Sequence, residues 1–137
     1  MIKNVILCTP NKKILFAGTT SEGSAHDKAL ADNAELDLSA KVVILADTGF
    51  LGFSAGKATI LLPCKKPYRK DHPAHHRTWN SHLAKFRVTV EHALAGVKTL
   101  RTVKEIIRLK SAESRDMVFE LACGLANLRL LHPQKKL

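Results

Sequence analysis

The sequence predicts a single α/β domain, and three observations lead to that prediction. Short β-rich runs alternate with helical patterns in the order β-β-α-β-β-α-α. Residues 41–46 form an almost wholly apolar run, which is typical of a strand buried on both faces of a sheet. Residues 79–101 repeat apolar side chains three and four positions apart, the period of an amphipathic helix. A length of 137 residues is sufficient for one domain with a modest core.

The first elements are predicted to be a hairpin and a helix. Residues 4–9 and 14–17 are β-rich and are joined by Pro-Asn-Lys-Lys, which predicts an antiparallel pair. A loop of Thr, Ser and Gly follows, and Ser24 is a suitable N-cap for a helix over residues 25–36. Asp27 then lies in the first turn, where the helix dipole favours an acid. On the sequence alone, stabilisation of the helix start is sufficient to explain an acid at position 27.

The apolar run at residues 41–46 ends abruptly at Asp47. Open α/β sheets bind ligands at the carboxyl ends of their strands, so Asp47 is a candidate site residue. The alternative is an Asx-type turn that only ends the strand. Residues 58–62 predict a shorter strand, and residues 64–78 a basic extended loop. Three histidines in that loop lack a second ligand pair at zinc-site spacing, so a zinc site is not predicted.

The helix predicted over residues 79–101 has two distinct faces. Arg87, Glu91 and Lys98 form the pattern R-x3-E-x6-K, and at 100° per residue all three project within about 40° of Glu91. Taken alone, such a face is typical of a solvated ion pair. A last helix is expected to start at Ser111 or Ser114 and end near Leu131. The apolar stripes are Leu83, Phe86, Val90, Leu94 and Val97 in the first helix, and Met117 or Val118, Leu121, Leu125 and Leu128 in the second.

Positive charge is concentrated in one part of the chain. The net charge is +10, and residues 57–110 contain thirteen Lys or Arg against three acids. The remainder is balanced, so we expect a polyanionic partner, most commonly nucleic acid. Arg101, Lys104 and Arg108 form a basic stripe suited to a phosphate backbone, although each could equally belong to a solvated helix face. A membrane partner is not expected, because apolar spans and aromatic anchors are lacking.

The cysteine content indicates a reducing compartment. The three cysteines are far apart and odd in number, which argues against a disulfide framework. We therefore expect a cytoplasmic protein, associated with the nucleoid in a bacterium or with the nucleus in a eukaryote.

Three segments together resemble a known family. GSAHD at 23–27, ADTGF at 46–50 and RVTVEHALAGVK at 87–98 are similar to motifs of the DDE-type transposases. The similarity is greatest to the harbinger-like DDE superfamily endonucleases and their bacterial insertion-sequence relatives. ELACGLANLRL at 120–130 also resembles the closing helix of that group. A tyrosine often stands three positions before the Arg in related signatures, and here that position is Ala84.

The resemblance implies an RNase H-like mixed sheet flanked by helices. It implies that Asp47 and Glu91 are catalytic, metal-binding carboxylates, with Asp27 as a possible third ligand. It also implies Mg²⁺ or Mn²⁺ in a two-metal arrangement, with DNA at transposon ends as the substrate. By the same resemblance, Arg87 and Lys98 would orient DNA phosphates or tune the carboxylate. DNA contacts by Arg101, Lys104 and Arg108 are expected from their basic stripe.

The first catalytic Asp of that family lies on a central strand that precedes the hairpin. No acidic residue precedes Glu22 in this sequence. We therefore expect residues 1–137 to be the C-terminal part of a catalytic domain, lacking its first, central strand. Metal binding and cleavage would then require that strand, and an upstream transposase segment is one partner that could supply it. The chain could also form an oligomer. The alternatives are a non-catalytic basic DNA-binding domain or a decayed transposase remnant.

Overall fold

A computed structural model of the chain describes residues 2–104 and 108–133, with the backbone alone for Thr102 and Lys104. Within these ranges the chain is mixed α/β, which confirms the predicted class. A short 3-10 helix at Thr48–Phe50 follows the fifth strand. The elements are β1 (Ile2–Lys3), β2 (Ile6–Cys8), β3 (Ile14–Ala17), β4 (Ser21–Glu22), α1 (Asp27–Asp32), β5 (Val43–Leu45), β6 (Thr59–Leu61), α2 (Ala74–Lys98), α3 (Arg101–Lys104) and α4 (Ala112–Leu131).

The described strands form three two-stranded sheets, where one mixed sheet was expected. β2 and β3 are antiparallel, as the predicted hairpin requires, and β1 pairs antiparallel with β4. β5 and β6 are parallel. The chain divides into two compact units, which are described separately. Unit 1 comprises Met1–Ala25 and Thr89–Leu137, and unit 2 comprises His26–Val88.

The core of unit 1 lies between β3, the second half of α2, and α4. Its buried residues come from all three elements. The outer edge of β3 is closed by Asn127 of α4, whose Oδ1 accepts a hydrogen bond from the Ile14 N–H at 2.8 Å. The same amide donates through Nδ2 to the Ile14 carbonyl, also at 2.8 Å. Asn127 thereby satisfies both backbone groups of a buried strand residue. The buried members of this core are Ile14, Ala93, Val97, Phe119, Ala122 and Cys123.

α4 begins with Ser111 as its N-cap, as predicted, but the predicted apolar stripe is wrong. The side-chain contacts of Asp116 and Asn127 fix the rotation of the helix, since Asp116 Oδ1 accepts from the Thr20 N–H at 2.6 Å. The face of α4 that carries Asp116 and Asn127 packs inward, and the face that carries the predicted leucine stripe does not. Val118 is half-buried. The exposed residues of the predicted stripe are Met117, Leu121, Leu125 and Leu128.

Asn127→Ala is expected to lower the free energy of unfolding by about 2–4 kcal/mol, because two backbone groups of buried Ile14 lose their partners. Urea unfolding monitored by circular dichroism measures the change. Leu128→Ala, at the neighbouring exposed position, is the control and should cost less than about 1 kcal/mol. Equal losses in the two variants would show that the Asn127 amide does not stabilise the edge of β3.

Unit 2 contains the parallel pair β5–β6 and the helix α1. The prediction that residues 41–46 form a strand buried on both faces is wrong. Within the described residues β5 pairs only with β6. One face of β5 is covered and the other is open, because Ile44 is buried whereas Val43, on the opposite face, is 58% exposed. α1 is also shorter than predicted, with His26 rather than Ser24 at its N-cap position. A left-handed residue soon after the helix, Glu35 with φ 48°, is incompatible with its continuation.

α2 begins and ends earlier than predicted. It starts at Ala74, because Pro73 precedes it and proline is well tolerated at a helix start, where no N–H is required. It ends at Lys98, and α3 is a separate short helix. Of the predicted buried stripe, Phe86 is exposed. Unit 2 buries Leu83 and the core of unit 1 buries Ala93 and Val97, so Phe86 lies along the helix between the two buried segments.

The cysteines are free thiols, and two of them are shielded. Burial raises the pKa of Cys8, and burial together with the nearby Glu120 carboxylate raises the pKa of Cys123 to about 11. Cys123 is therefore expected to react with Ellman's reagent more slowly than Cys64 at pH 8, with a rate that increases up to about pH 11.

The raised pKa also affects stability, since the folded chain favours the neutral Cys123 thiol. This stabilisation is present below the ordinary thiol pKa of about 8.5 and is lost as the pH rises toward the folded value. Cys123→Ser should remove the slow labelling phase and this part of the pH dependence. Labelling of Cys123 as fast as in urea-unfolded protein would contradict the prediction.

Candidate active site

Asp47 lies directly after β5, and its two carboxylate oxygens have different partners. Oδ1 accepts a hydrogen bond from the Thr48 N–H at 2.8 Å and so caps the 3-10 helix. Oδ2 lies 3.5 Å from Nη1 of Arg87 on α2. The Asp47 side chain is 48% exposed and therefore accessible to solvent. Asp47 thus makes the contact expected of an Asx-type turn, and its second carboxylate oxygen is directed at α2.

Asp27 lies close to the same turn. It is in the first turn of α1, as predicted, and α1 packs against the 3-10 helix at Thr48–Phe50. A Cβ atom placed on Gly49 would be 2.9 Å from Asp27 Oδ2, so the absence of a side chain at Gly49 allows the carboxylate to approach. Asp27 of the GSAHD segment and Gly49 of the ADTGF segment therefore lie close together within unit 2. Sequence patterns do not reveal this role of Gly49, because it depends on how α1 packs.

Arg87, Glu91 and Lys98 are all exposed residues of α2. Arg87 belongs to unit 2, whereas Glu91 and Lys98 belong to unit 1. Arg87 and Glu91 are four positions apart, which is about one helical turn. Lys98 is in the last turn of α2, where the helix dipole favours a cation.

The predicted basic stripe after α2 is described only in part. Arg101 is the first residue of α3 and is exposed, and Arg108 is also exposed. The side chain of Lys104 lies outside the described part of the chain, although its backbone ends α3. The turn before α3 is fixed by a hydrogen bond from Thr99 Oγ1 to the Gly96 carbonyl at 2.8 Å.

The carboxylate oxygens near the turn after β5 are of the chemical type that binds hard divalent cations. Asp27 and Asp47 present carboxylate oxygens within one unit, and Mg²⁺ commonly binds through one or two carboxylates together with water and phosphate oxygens. Among residues 2–104 and 108–133, however, no three His, Cys, Asp or Glu side chains are grouped as metal ligands. The residues therefore fit a cation completed by water and substrate, rather than one enclosed by protein ligands alone.

Comparisons with known proteins give one match. The family model described as DDE superfamily endonuclease matches residues 1–127 of the chain. The curated proteins and the solved structures yielded no match to it. The match confirms the resemblance drawn from the three sequence motifs. None of the helices in the described ranges is both long enough and apolar enough to cross a membrane.

Proposed function

This chain belongs to the DDE superfamily endonuclease family, and we propose that it serves metal-dependent cleavage and strand transfer of DNA phosphodiesters in transposition. The family acts on DNA and generally depends on divalent metal ions. The observation that carries the proposal is the Asp47 carboxylate at the end of β5, directed at α2, the helix that contains the R-x3-E-x6-K pattern. We further propose that β5, β6 and α2 are parts of an RNase H-like domain.

Asp47 and Glu91 are the proposed metal-binding catalytic residues, with Asp27 as a third carboxylate. They would hold Mg²⁺ or Mn²⁺, which is supported by the hard oxygen donors and by the position of Asp47 and Glu91 in family-like motifs. A bound pair of such cations would activate the attacking hydroxyl or water and stabilise the leaving oxygen. Asp47 already has one oxygen fixed by the Thr48 N–H, so its carboxylate is oriented before any ligand binds.

Arg87 and Lys98 are the proposed contacts to DNA phosphates near the carboxylates. The Arg87 side chain is 64% exposed, so an incoming phosphate can reach its guanidinium group. Exposed ion pairs of this kind contribute only about 0–1 kcal/mol. Exchange of the Asp47 contact for a phosphate contact would therefore cost little. Arg101, Lys104 and Arg108 are further proposed contacts to the DNA backbone.

A non-catalytic DNA-binding domain is the second candidate function. It is favoured by the pairing of Asp47 with a cation and by the lack of a three-ligand group among the described residues. On this reading the net charge of +10 would bind the phosphate backbone without metal chemistry.

Two measurements on the same preparation distinguish these functions. Binding of a random-sequence duplex in EDTA measures DNA recognition, and nicking of supercoiled plasmid in Mn²⁺ at excess protein measures cleavage. The proposed function predicts duplex binding, together with nicking that EDTA abolishes, when cleavage is assayed with and without the family's first strand supplied as a second polypeptide. Duplex binding with no metal-dependent nicking in either assay would favour the binding domain, and the absence of duplex binding would contradict both candidates.

A further inference from the structure

The loop between β6 and α2 contains a short segment rich in cations, residues 65–71, which we call the basic turn. Four of its seven residues are Lys or Arg, and all four are exposed. Its one acid, Asp71, lies 3.9 Å from Lys66. The basic turn belongs wholly to unit 2. Such a concentration of exposed cations suits contact with phosphates.

Tyr68 is presented at the tip of the basic turn by the backbone. The Lys70 N–H donates to the Pro67 carbonyl at 3.4 Å, which closes a β-turn over Tyr68 and Arg69. Arg69, the third residue of this turn, has φ 55°, in the left-handed region found at that position in type II and type I′ turns. The tyrosine is consequently 83% exposed. Residues 66–71 line an open depression of about 510 Å³.

The ring of Tyr68 is oriented by a charged neighbour. The guanidinium carbon of Arg69 lies 5.1 Å from the ring centroid, within the range of a cation–π contact. A single exposed apolar side chain needs no functional explanation by itself. Here the ring is combined with a guanidinium group and flanking lysines, which are the components that single-stranded nucleic-acid sites use for stacking and for phosphate contact.

The base of the basic turn is anchored to α2. Asn80 Oδ1 accepts from the Cys64 N–H at 2.8 Å, and Asn80 Nδ2 donates to the Cys64 carbonyl at 3.1 Å. Trp79 Nε1 donates to the Leu62 carbonyl at 3.0 Å. Three side-chain hydrogen bonds therefore hold the segment between β6 and the basic turn. The exposed tip is presented from a fixed base, which reduces the entropy lost when a ligand binds.

We propose that the basic turn binds an unpaired nucleobase of DNA, stacked on Tyr68, while Lys65, Lys66 and Lys70 contact the flanking phosphates. The inference rests on the proposed function, since it assumes a DNA substrate. The inference goes beyond the proposed function because it assigns a subsite for single-stranded DNA to residues outside the catalytic motifs. Bases in a duplex are already stacked on both faces, so only an unpaired base can offer its face to the ring.

The test compares a fluorescein-labelled dT20 oligonucleotide with a blunt 20-base-pair duplex, measured by anisotropy at one salt concentration. Tyr68→Ala should weaken dT20 binding by about 10-fold, the loss expected for one stacked base, and should change duplex binding less than about 2-fold. Tyr68→Phe should retain dT20 binding, because it keeps the ring. Because Tyr68 is 83% exposed, both variants are expected to fold as the wild-type chain does, which circular dichroism checks.

A matched control separates stacking from charge. Lys65→Ala should weaken binding of both oligonucleotides by similar factors and reduce the salt slope by about one, as loss of one phosphate contact does. Unchanged dT20 binding by Tyr68→Ala, or equal weakening for dT20 and duplex, would overturn the stacking proposal while leaving the proposed function intact. Failure of the wild-type chain to bind either oligonucleotide would overturn both. Tighter binding of rU20 than of dT20 would make RNA the ligand and overturn the assignment to DNA.

Discussion

The affinity of this chain for a random-sequence DNA duplex is expected to fall by about 10³-fold between 50 and 200 mM NaCl, the loss typical of about six phosphate contacts. The reason is the concentration of thirteen Lys or Arg against three acids in residues 57–110, while the rest of the chain is balanced. Each neutralised phosphate releases condensed counterions, so the logarithm of the affinity falls linearly with the logarithm of the salt concentration. Fluorescence anisotropy over a salt series measures the slope.

Charge reversal tests which cations contribute to that slope. Replacing Arg101, Lys104 and Arg108 with Glu should reduce its magnitude by about 2–3, because each lost contact removes roughly one. The matched control reverses three exposed lysines outside the basic region, Lys12, Lys13 and Lys41. Equal effects of the two triple variants would indicate that net charge alone is responsible. An unchanged slope for the first variant would show that these three residues do not contact DNA.

Asp47→Asn and Glu91→Gln are each expected to lower Mn²⁺-dependent nicking by about 10³-fold or to the buffer background, because bound metal supplies several kcal/mol of transition-state stabilisation. Each amide keeps the shape of its side chain while removing the charge. Asp47→Asn retains an oxygen that can accept from the Thr48 N–H, so the turn after β5 should persist. Supercoiled plasmid is the sensitive substrate for the assay, because a single nick changes its mobility.

Two exposed acids provide controls for these substitutions. Asp37→Asn in unit 2 and Glu120→Gln on α4 remove the same charge outside the family motifs. Both should nick plasmid as the wild-type chain does. Loss of nicking in the controls would mean that the assay reports net charge. Nicking that survives Glu91→Gln would remove Glu91 from the active site.

Local patterns predicted much of the backbone. The hairpin formed by β2 and β3, the strands β5 and β6, and the Ser111 cap of α4 all follow from short-range signals. The faces of the helices were predicted less well. The leucine stripe of α4 is regular in sequence, yet the face that packs inward is the one whose polar side chains, Asp116 and Asn127, hydrogen-bond to the backbone of Thr20 and Ile14. Hydrophobic periodicity cannot detect such contacts, since they depend on residues about a hundred positions away in the chain.

The candidate site shows a similar division. The sequence placed Asp47 at the end of a strand and Asp27 at the start of a helix, and the structure has both there. It did not predict the contact of Asp47 with Arg87, which depends on how α2 packs in unit 2. The approach of Asp27 to Gly49 was likewise unforeseen, because glycine in a turn is usually explained by backbone conformation alone.

Mn²⁺ binding tests most directly whether Asp47 and Glu91 hold the metal. The electron paramagnetic resonance signal of free Mn²⁺ measures this binding during titration with four proteins: the wild-type chain, Asp47→Asn, Glu91→Gln and Glu120→Gln. This measurement needs no turnover, so it reports the metal-binding role of each carboxylate separately from catalysis. Asp47→Asn and Glu91→Gln are each expected to weaken Mn²⁺ binding at least about 10-fold, while Glu120→Gln should bind as the wild-type chain does. Equal binding by all four proteins would contradict the claim that Asp47 and Glu91 hold the metal.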